Sequence, residues 1–412
     1  MQLHYGIVFA AGIAVLLFMV MKVKTNAFIG LLTAAFVIGV LSGMPALDVV
    51  NTISKGFAGT IEGIGLVIIF GNILGKYLEK TNSTNKMAFD MVRLCGEKRS
   101  SLAMALTGYV VSIPVFSDAA MVLLSPLIRA LARKSNRPKV ELAVLGVSLA
   151  TGLLSTNVFF PPTPGPLAAA GMLGIDIGWA MLFGGFVALV RTLFGWFYAH
   201  FFLAHRPESF YTYEESFDDE ATPSQEDLPG TMVSLAPLLI PLILILMNTA
   251  STMMLPKNSS VVKVTSFVGN ATVALVIGVI VAIVLHLKKL GSKEALKLLN
   301  DGVGESGSIV FIVAIGGALG SVLKASGVGD SLATAISTSG LPAILVPFAI
   351  GAVIKLINGS GTTSLITAVT ICTPFIETLS MNPVLIFLSA YAFVATSTIA
   401  SSRFIREGLV WT

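Results

Sequence analysis

The sequence predicts an all-α, polytopic membrane protein made of two inverted-topology repeats, each with a re-entrant helical hairpin and a broken transmembrane helix. Three observations predict this fold class: the apolar composition, an internal repeat and the placement of basic residues. The 412 residues are 55% hydrophobic and 12% charged, whereas soluble domains contain about 25% charged residues. The composition therefore leaves no room for a sizeable soluble catalytic domain.

Apolar runs long enough to cross a bilayer recur along the chain. A transmembrane helix needs about 20 predominantly apolar residues. The clearest runs are Leu3–Met21, Ala27–Met44, Met181–Leu203, Met232–Leu255 and Val264–Leu287. The first run has no basic segment before it and no small-residue cleavage site, so we expect a retained helix rather than a signal peptide.

An internal repeat links two segments that lie 245 residues apart, Ile68–Ala88 and Val313–Ala333. The same offset places Pro114–Asp118 on Gly359–Thr363. The matched pairs include Gly71–Gly316, Leu74–Leu319, Gly75–Gly320, Leu78–Leu323 and Ala88–Ala333. A shared offset over this length indicates two copies of one structural unit.

The basic residues predict the direction of each copy, because Lys and Arg accumulate in cytoplasmic loops. Lys22 and Lys24 place the first loop inside and the N-terminus outside. Leu47–Thr60 is expected to be a short interfacial helix, and the following span, Glu62–Tyr77, is expected to run inward. Its counterpart, Ser306–Leu323, runs outward, so the copies are inverted. Inverted repeats are typical of secondary transporters, which bind substrate where the repeats meet.

Each copy is predicted to contain a hairpin that enters the membrane and returns to the same side. The 29 residues of Ser100–Ile128 have basic residues beyond both ends, and two full crossings need about 40 residues. Two half-helices fit instead, with a tip near Pro114–Asp118. The second hairpin is predicted at Leu341–Ile376, with its tip near Asn358–Thr363. The prolines of Pro161–Pro166 are expected to break the helix that follows the first hairpin, since proline removes a backbone donor.

These elements divide the chain into scaffold and transport segments. The predicted segments are N-terminal scaffold helices at 1–60, a first transport repeat at 61–170 (hairpin 100–133, broken helix 140–170), scaffold helices at 171–305 with an acidic cytoplasmic linker at 207–228, and a second transport repeat at 306–412 (hairpin 341–376).

Asp118 is the candidate for proton coupling. An acidic residue at membrane depth is costly and is a functional candidate by default, and a low dielectric favours the protonated form of a carboxyl group. A water-filled vestibule or a protruding hairpin tip is the alternative explanation. Lys355, near the second tip, is either a counter-charge for an anion or a lysine that snorkels to the interface. Arg191 lies in mid-span and is interpreted as a brace between the two halves.

The hairpin tips and the proline-rich break supply the predicted substrate site. Irregular backbone at membrane depth is tolerated only where protein or a watery cavity surrounds it, and a half-helix N-terminus there favours an anion. An ordinary extracellular loop and close helix packing are the alternatives. The predicted binding residues are Phe116, Ser117, Asn157, Thr163, Gly165, Asn358, Gly359, Ser360, Gly361, Thr362 and Thr363.

No motif predicts a cofactor, a metal site or catalysis. Cys95 and Cys372 lie far apart, which predicts neither a disulfide nor a metal framework. The sequence has no Walker A signature, Gly-x-Ser-x-Gly elbow or His-Glu-x-x-His motif. An enzyme is therefore not expected, and the basic residues flank spans as an orientation signal rather than as a nucleic-acid surface.

The sequence resembles the gluconate:proton symporter family, a member of the ion transporter superfamily. The resemblance extends over nearly the whole chain and rests on Pro114–Asp118 with Ser125–Leu127, on Phe160–Pro166 and on Gly359–Ala368. The family usually has histidine where this chain has Thr163. Its members continue beyond the position of Thr412 with a further polar element and a final helix, so we expect the second repeat to be C-terminally shortened.

The resemblance implies proton-coupled import of gluconate, or of a related small hydroxy-carboxylate, across the bacterial cytoplasmic (inner) membrane. It further implies elevator-type movement of the hairpin domain and a homodimer in the lipid bilayer. The open alternatives are a D-serine- or glycerate-type transporter of the same family, sodium in place of the proton, and a passive anion channel or non-transporting receptor on the same fold.

Overall fold

The computed structural model describes residues 2–207, 228–256 and 258–338. Beyond residue 338 the described positions are Leu345, Phe348, Gly351, Leu365, Ile366, Ala368, Val369, Thr370, Cys372 and Thr373. Nearly all of the acidic linker, at 208–227, and the predicted tip of the second hairpin lie outside the described residues.

All regular structure in these residues is helical, which confirms the predicted all-α class. The helices are α1 (Gln2–Leu17), α2 (Ala27–Leu41), α3 (Ala46–Thr60), α4 (Leu66–Lys80), α5 (Ser83–Cys95), α6 (Ser100–Val111), α7 (Ser117–Arg133), α8 (Pro138–Phe159), α9 (Pro164–Met172), α10 (Ile177–Tyr198), α11 (Thr231–Met254), α12 (Ser260–Val268), α13 (Ala271–Ala325) and α14 (Val328–Thr338).

Within the described part of the chain, six helical stretches are long and apolar enough to cross a membrane. They are Leu3–Val20, Ala46–Lys80, Pro138–Met172, Ile177–Leu203, Thr231–Met254 and Ala271–Ala325. Each exceeds or approaches the length of about 20 residues that a bilayer requires. The prediction of a polytopic membrane protein is therefore confirmed.

The helices α3 and α4 form one continuous helical stretch, which differs from the predicted interfacial helix and separate span. The π-turn Ile61–Gly65 joins them, and the flanking Thr60 and Leu66 both keep right-handed helical torsions. No proline interrupts the stretch, and Gly59 and Gly63 lower helix stability without ending the helix. Polar residues alone were therefore a poor guide to a helix boundary here.

The predicted span Val264–Leu287 is interrupted at Gly269 and Asn270, between α12 and α13. The side-chain oxygen of Asn270 accepts a hydrogen bond from the backbone N–H of Thr272 at 3.0 Å, which caps the new helix. Farther along α13, Gly291 has a φ of 75° and kinks the helix, a backbone conformation that glycine adopts without steric cost.

The helices pack into two compact units. The first unit contains residues 2–68, 164–180 and the described residues from 305 onward. The second unit contains residues 69–163 and the described residues of 181–304. The predicted scaffold and transport segments are each continuous in the sequence, whereas these two units are not. The assignment of those segments stays a prediction.

In the second unit, α6 and α8 approach each other at backbone distance. A methyl group at Gly108 of α6 would overlap the carbonyl oxygen of Leu149, and one at Gly152 of α8 would overlap that of Ala105. Small residues allow such close approach between helices in a membrane. The first arm of the hairpin is therefore packed directly against α8.

Two buried polar side chains attach α4 to α13 in the same unit. The Tyr77 hydroxyl donates to the carbonyl oxygen of Ala295, and the Asn72 amide donates to that of Gly302 at 3.0 Å. Hydrogen bonding offsets the cost of burying these groups. The two bonds fix how α4 is rotated about its axis, which determines the neighbours of its other residues.

The internal repeat is visible in the ends of the helices. The turn between α4 and α5 separates Lys80 from Ser83, and the turn between α13 and α14 separates Ala325 from Val328. Adding 245 to the numbers of Lys80 and Ser83 gives Ala325 and Val328. The offset found in the sequence therefore also holds for the helix boundaries.

Candidate functional site

The first predicted hairpin is present in the second unit, with arms of unequal length. The 12 residues of α6 span about 18 Å and the 17 residues of α7 span about 25 Å. Both are shorter than the bilayer core of about 30 Å, as expected of a re-entrant hairpin. The turn at Ser112–Phe116 between them overlaps the predicted tip, Pro114–Asp118, whose last two residues belong to the first turn of α7.

The second arm, α7, begins at this tip without a side-chain cap. Its N-cap residue, Phe116, is extended, with φ −62° and ψ 140°, and its side chain makes no capping bond. The first backbone N–H groups of a helix have no intrahelical acceptor, and partial positive charge accumulates there. The N-terminus of α7 can therefore donate to an anionic or hydroxylated ligand.

Asp118 lies in the first turn of α7, at the predicted tip, but its surroundings differ from those expected. The residue is exposed, whereas Ser117 beside it is half-buried. Protein packing therefore does not supply the low dielectric on which the sequence argument relied. The exposed carboxylate lies in the first turn of α7, next to the uncapped N-terminus of that helix.

One face of α4 brings the hairpin tip and the helix break together. A methyl group at Gly75 would overlap the carbonyl oxygen of Pro114 at the tip. One at Gly71 would lie 3.6 Å from the carbonyl oxygen of Pro162 in the break. Gly71 and Gly75 are about one helical turn, or 5.4 Å, apart. Two irregular backbone segments that are distant in sequence thus meet at adjacent turns of one helix.

The break itself is a short, buried segment between α8 and α9. Phe160 is extended, with φ −110° and ψ 115°, and Pro161 and Pro162 have no backbone donor. Thr163 closes the turn, because its hydroxyl donates to the carbonyl oxygen of Phe160 at 2.6 Å. The Thr163 side chain is buried, with 6% exposure, so its hydroxyl proton is used within the break.

The break is shorter than the predicted Pro161–Pro166. Pro164 and Pro166 belong to the first turn of α9, where proline is tolerated because the missing N–H would lack a partner anyway. Gly165 lies between them and, unlike proline, has a backbone N–H. It is buried and belongs to the first unit. The expectation that all six residues are irregular is therefore wrong for the last three.

Two side chains outside the set of predicted binding residues connect the helices around the break. The Thr156 hydroxyl donates to the carbonyl oxygen of Tyr109 at 2.8 Å, and the Tyr109 hydroxyl donates to that of Gly185 at 3.1 Å. These bonds connect α6, α8 and α10 beside the tip and the break. In the sequence, these contacts could have been suspected from a tyrosine and a threonine that lie within apolar runs. The predicted Asn157 is half-buried in the last turn of α8, next to Thr156.

Arg191 of α10 lies beside the end of α8. Its guanidinium carbon is 5.4 Å from the centre of the Phe159 ring, within the range of a cation–π contact. The residue is 7% exposed, and among the described residues its Nε and Nη1 atoms have no hydrogen-bond partner. The structure thus contains a buried cation next to the break.

Several predicted residues lie outside the described residues, namely Lys355, Asn358, Gly359, Ser360, Gly361, Thr362 and Thr363. Over the part of the chain that is described, the His, Cys, Asp and Glu side chains form no group of three or more that could hold a metal ion.

A family model described as "GntP family permease" matches residues 5–411. The chain belongs to the GntP family of permeases. The resemblance based on the motifs of the two tips and the break is thereby confirmed. Because the family consists of permeases, this member is a multi-pass membrane transporter and not an enzyme.

The GntP permease is similar to several curated transporters over most of its length. It is 36% identical to an uncharacterized permease of Haemophilus influenzae, in an alignment that covers 88% of this chain and 76% of that protein. It is 32% identical to the Gnt-II system L-idonate transporter of Escherichia coli, over 94% and 87% of the two chains. It is 30% identical to the high-affinity gluconate transporter of the same organism, over 93% and 86%.

A solved structure shares the fold of the GntP permease. The YdaH transporter of Alcanivorax borkumensis, described as having an unusual topology, superposes with a TM-score of 0.63. The match covers 89% of this chain and 85% of that one, at 15% sequence identity. At this identity, the likeness shows the fold alone.

Proposed function

We propose that this permease imports gluconate, or a related small hydroxy-carboxylate, in symport with protons. The observation that carries the proposal is the meeting of the hairpin tip and the helix break at Gly75 and Gly71 of α4. Such paired irregular segments at membrane depth are typical of substrate sites in transporters. The substrate class is supported by relatives named for gluconate and L-idonate, which are both polyhydroxy carboxylates.

In the proposed site, backbone donors and neutral polar groups bind the substrate. The N-terminus of α7, at Phe116 and Ser117, supplies N–H groups, and Asn157 supplies a side-chain amide. Thr163 can still accept a hydrogen bond from a substrate hydroxyl through its oxygen. Gly165 and the second tip, Asn358–Thr363, remain predicted binding residues, and Lys355 is proposed as a counter-charge for the anion.

The wider assignments follow from the same proposal. The permease acts in the bacterial cytoplasmic membrane, with its N-terminus outside, and functions as a homodimer. The transport segments at 61–170 and 306–412 move against the scaffold segments at 1–60 and 171–305 in an elevator-type cycle.

Uptake by proteoliposomes tests the transport proposal. Purified permease should accumulate labelled gluconate against its concentration gradient when an inward proton gradient is imposed, and a protonophore should abolish accumulation. Replacing sodium with potassium should leave uptake unchanged. Equilibration without accumulation would indicate a channel, and the absence of uptake of gluconate, L-idonate, glycerate and D-serine would refute the proposal.

Asp118→Asn tests the proposed proton coupling. The substitution keeps the size of the side chain and removes the ionisable group, so we expect accumulation to be lost while exchange of internal for external gluconate continues. Asp48→Asn is a matched control, because Asp48 is also an exposed acid in the first turn of a helix. Proton-driven accumulation that survives in Asp118→Asn would exclude Asp118 from this role.

A further inference from the structure

Arg191 on α10 is aligned with three small residues along one side of its helix. Gly184, Ala188, Arg191 and Gly195 follow a spacing of four, three and four residues, which places them on one face of the helix. A methyl group at Gly184 would overlap the carbonyl oxygen of Phe159, and one at Gly195 would overlap the side chain of Thr151. Arg191 therefore projects from a face that packs closely on α8.

The guanidinium of Arg191 points toward the helix break. Residues 184 and 195 of α10 contact residues 159 and 151 of α8, so the two helices are antiparallel and the N-terminal end of α10 lies beside the break. A helical side chain leans toward the N-terminus of its own helix. The contact between the guanidinium and the ring of Phe159, the last residue of α8, agrees with this direction.

A purely bracing arginine would donate hydrogen bonds to the elements that it holds together. Nε and Nη1 carry three of the five N–H groups of a guanidinium, and both atoms are buried without a partner among the described residues. The Phe159 ring offers only a weak attraction in comparison with the cost of removing an unpaired charge from water. Within the described part of the chain, these donors are therefore available to an anionic ligand.

The end of α8 gives a second reason for a fixed cation at this place. The last carbonyl groups of a helix carry partial negative charge, which disfavours an anion beside the break. A buried guanidinium next to Phe159 offsets that charge. Arginine is also suited to carboxylates, since its planar N–H groups match their geometry.

We infer that Arg191 binds the carboxylate group of the transported substrate. This assignment rests on the proposed function and adds to it a described residue that selects anions over neutral polyols. The brace predicted from the sequence is replaced by a ligand-binding role. The break and α7 then contact the hydroxyl groups of the substrate, while Arg191 contacts its charged end.

The test measures ligand-induced thermal stabilisation of the detergent-solubilised permease, with gluconate, L-idonate and glycerate as anionic probes and glucitol as a neutral one. We expect the anions, and not glucitol, to raise the apparent Tm of the unmodified permease. Arg191→Met should weaken anion binding by about 10- to 100-fold, the worth of hydrogen bonds to a charged group. Arg191→Lys should lie between the two, because lysine keeps the charge without the planar donors.

Measurements without ligand distinguish a binding role from a bracing one. Arg191→Met should not lower the apparent Tm of the ligand-free permease, because it removes a buried charge whose Nε and Nη1 have no hydrogen-bond partner among the described residues. A marked decrease would show that Arg191 is a brace and would overturn the inference. Arg93→Met is the control, since Arg93 is an exposed arginine on α5 and should change neither stability nor anion binding.

The outcomes separate this inference from the proposed function. If gluconate stabilises Arg191→Met as strongly as the unmodified permease, the role of Arg191 is refuted while gluconate transport stands. If no carboxylate stabilises the unmodified permease and proteoliposomes show no uptake, both are refuted.

Discussion

The glycine pairs of the two repeats occupy equivalent positions in the sequence but meet different neighbours. In the first copy, Gly75 contacts a backbone carbonyl of the hairpin tip and Gly71 lies near the break. In the second copy, Gly316 and Gly320 face the helical positions Ile366 and Thr370. The same residue type therefore approaches the backbone of a turn in one copy and helical positions in the other.

The largest effect is expected for Gly75→Ala. The added methyl group would overlap the Pro114 carbonyl oxygen, and backbone in a turn cannot rotate away as a side chain can. We expect a loss of stability of about 1–3 kcal/mol, typical of overpacking, together with a displaced tip and reduced uptake. Thermal unfolding in detergent and proteoliposome uptake measure the two effects. A variant with normal Tm and normal uptake would contradict the backbone contact.

A smaller effect is expected for Gly316→Ala in the second copy. Its methyl group would lie 2.9 Å from Cγ2 of Ile366, so this side chain must shift, but a side chain adjusts more easily than the backbone of a turn. The expected cost is about 1 kcal/mol, at the low end of overpacking. The cost should decrease when Ile366→Ala is introduced as well, because contacting residues couple. Equal costs in both backgrounds would show that Ile366 is not the obstacle.

The smallest effect is expected for Gly71→Ala and Gly320→Ala. Their methyl groups would lie 3.6 Å from the Pro162 carbonyl oxygen and 3.5 Å from Cγ2 of Thr370, which are ordinary contact distances. Alanine is favoured over glycine within a helix by about 1 kcal/mol, so the apparent Tm should be unchanged or slightly higher. Gly71→Ala is also the matched control for Gly75→Ala, one turn away. A large loss of stability in either variant would contradict the expected difference from Gly75→Ala.

The repeat, the first hairpin and the break could be predicted because their signals are local or depend directly on the bilayer. Basic residues at both ends of Ser100–Ile128 predict that the chain returns to the same side. Closely spaced prolines favour a helix break because each one removes a backbone donor, although the single Pro126 is accommodated within α7. The correction at Pro164 and Pro166 arises because both lie within a first turn, where the missing donor would lack a partner anyway.

The remaining features depend on tertiary contacts, which the hydropathy pattern of the sequence does not reveal. The exposure of Asp118 depends on how the tip packs, and the continuity of α3 with α4 depends on the absence of a competing cap. Among the described residues, the lack of a hydrogen-bond partner for Nε and Nη1 of Arg191 depends on which side chains surround the guanidinium. A positive charge in an apolar span indicates a site worth examining, but only the neighbouring side chains show whether it is satisfied.

The glycine contact between α6 and α8 limits how access to the break can alternate between the two sides of the membrane. Gly108 and Gly152 leave no layer of side chains between these helices, so the first hairpin arm cannot swing away from α8 without losing close-packed backbone contacts. The hairpin is therefore poorly suited to act as a hinged gate. This close packing supports the proposed elevator-type cycle, in which the arm and the helix would move together as one piece.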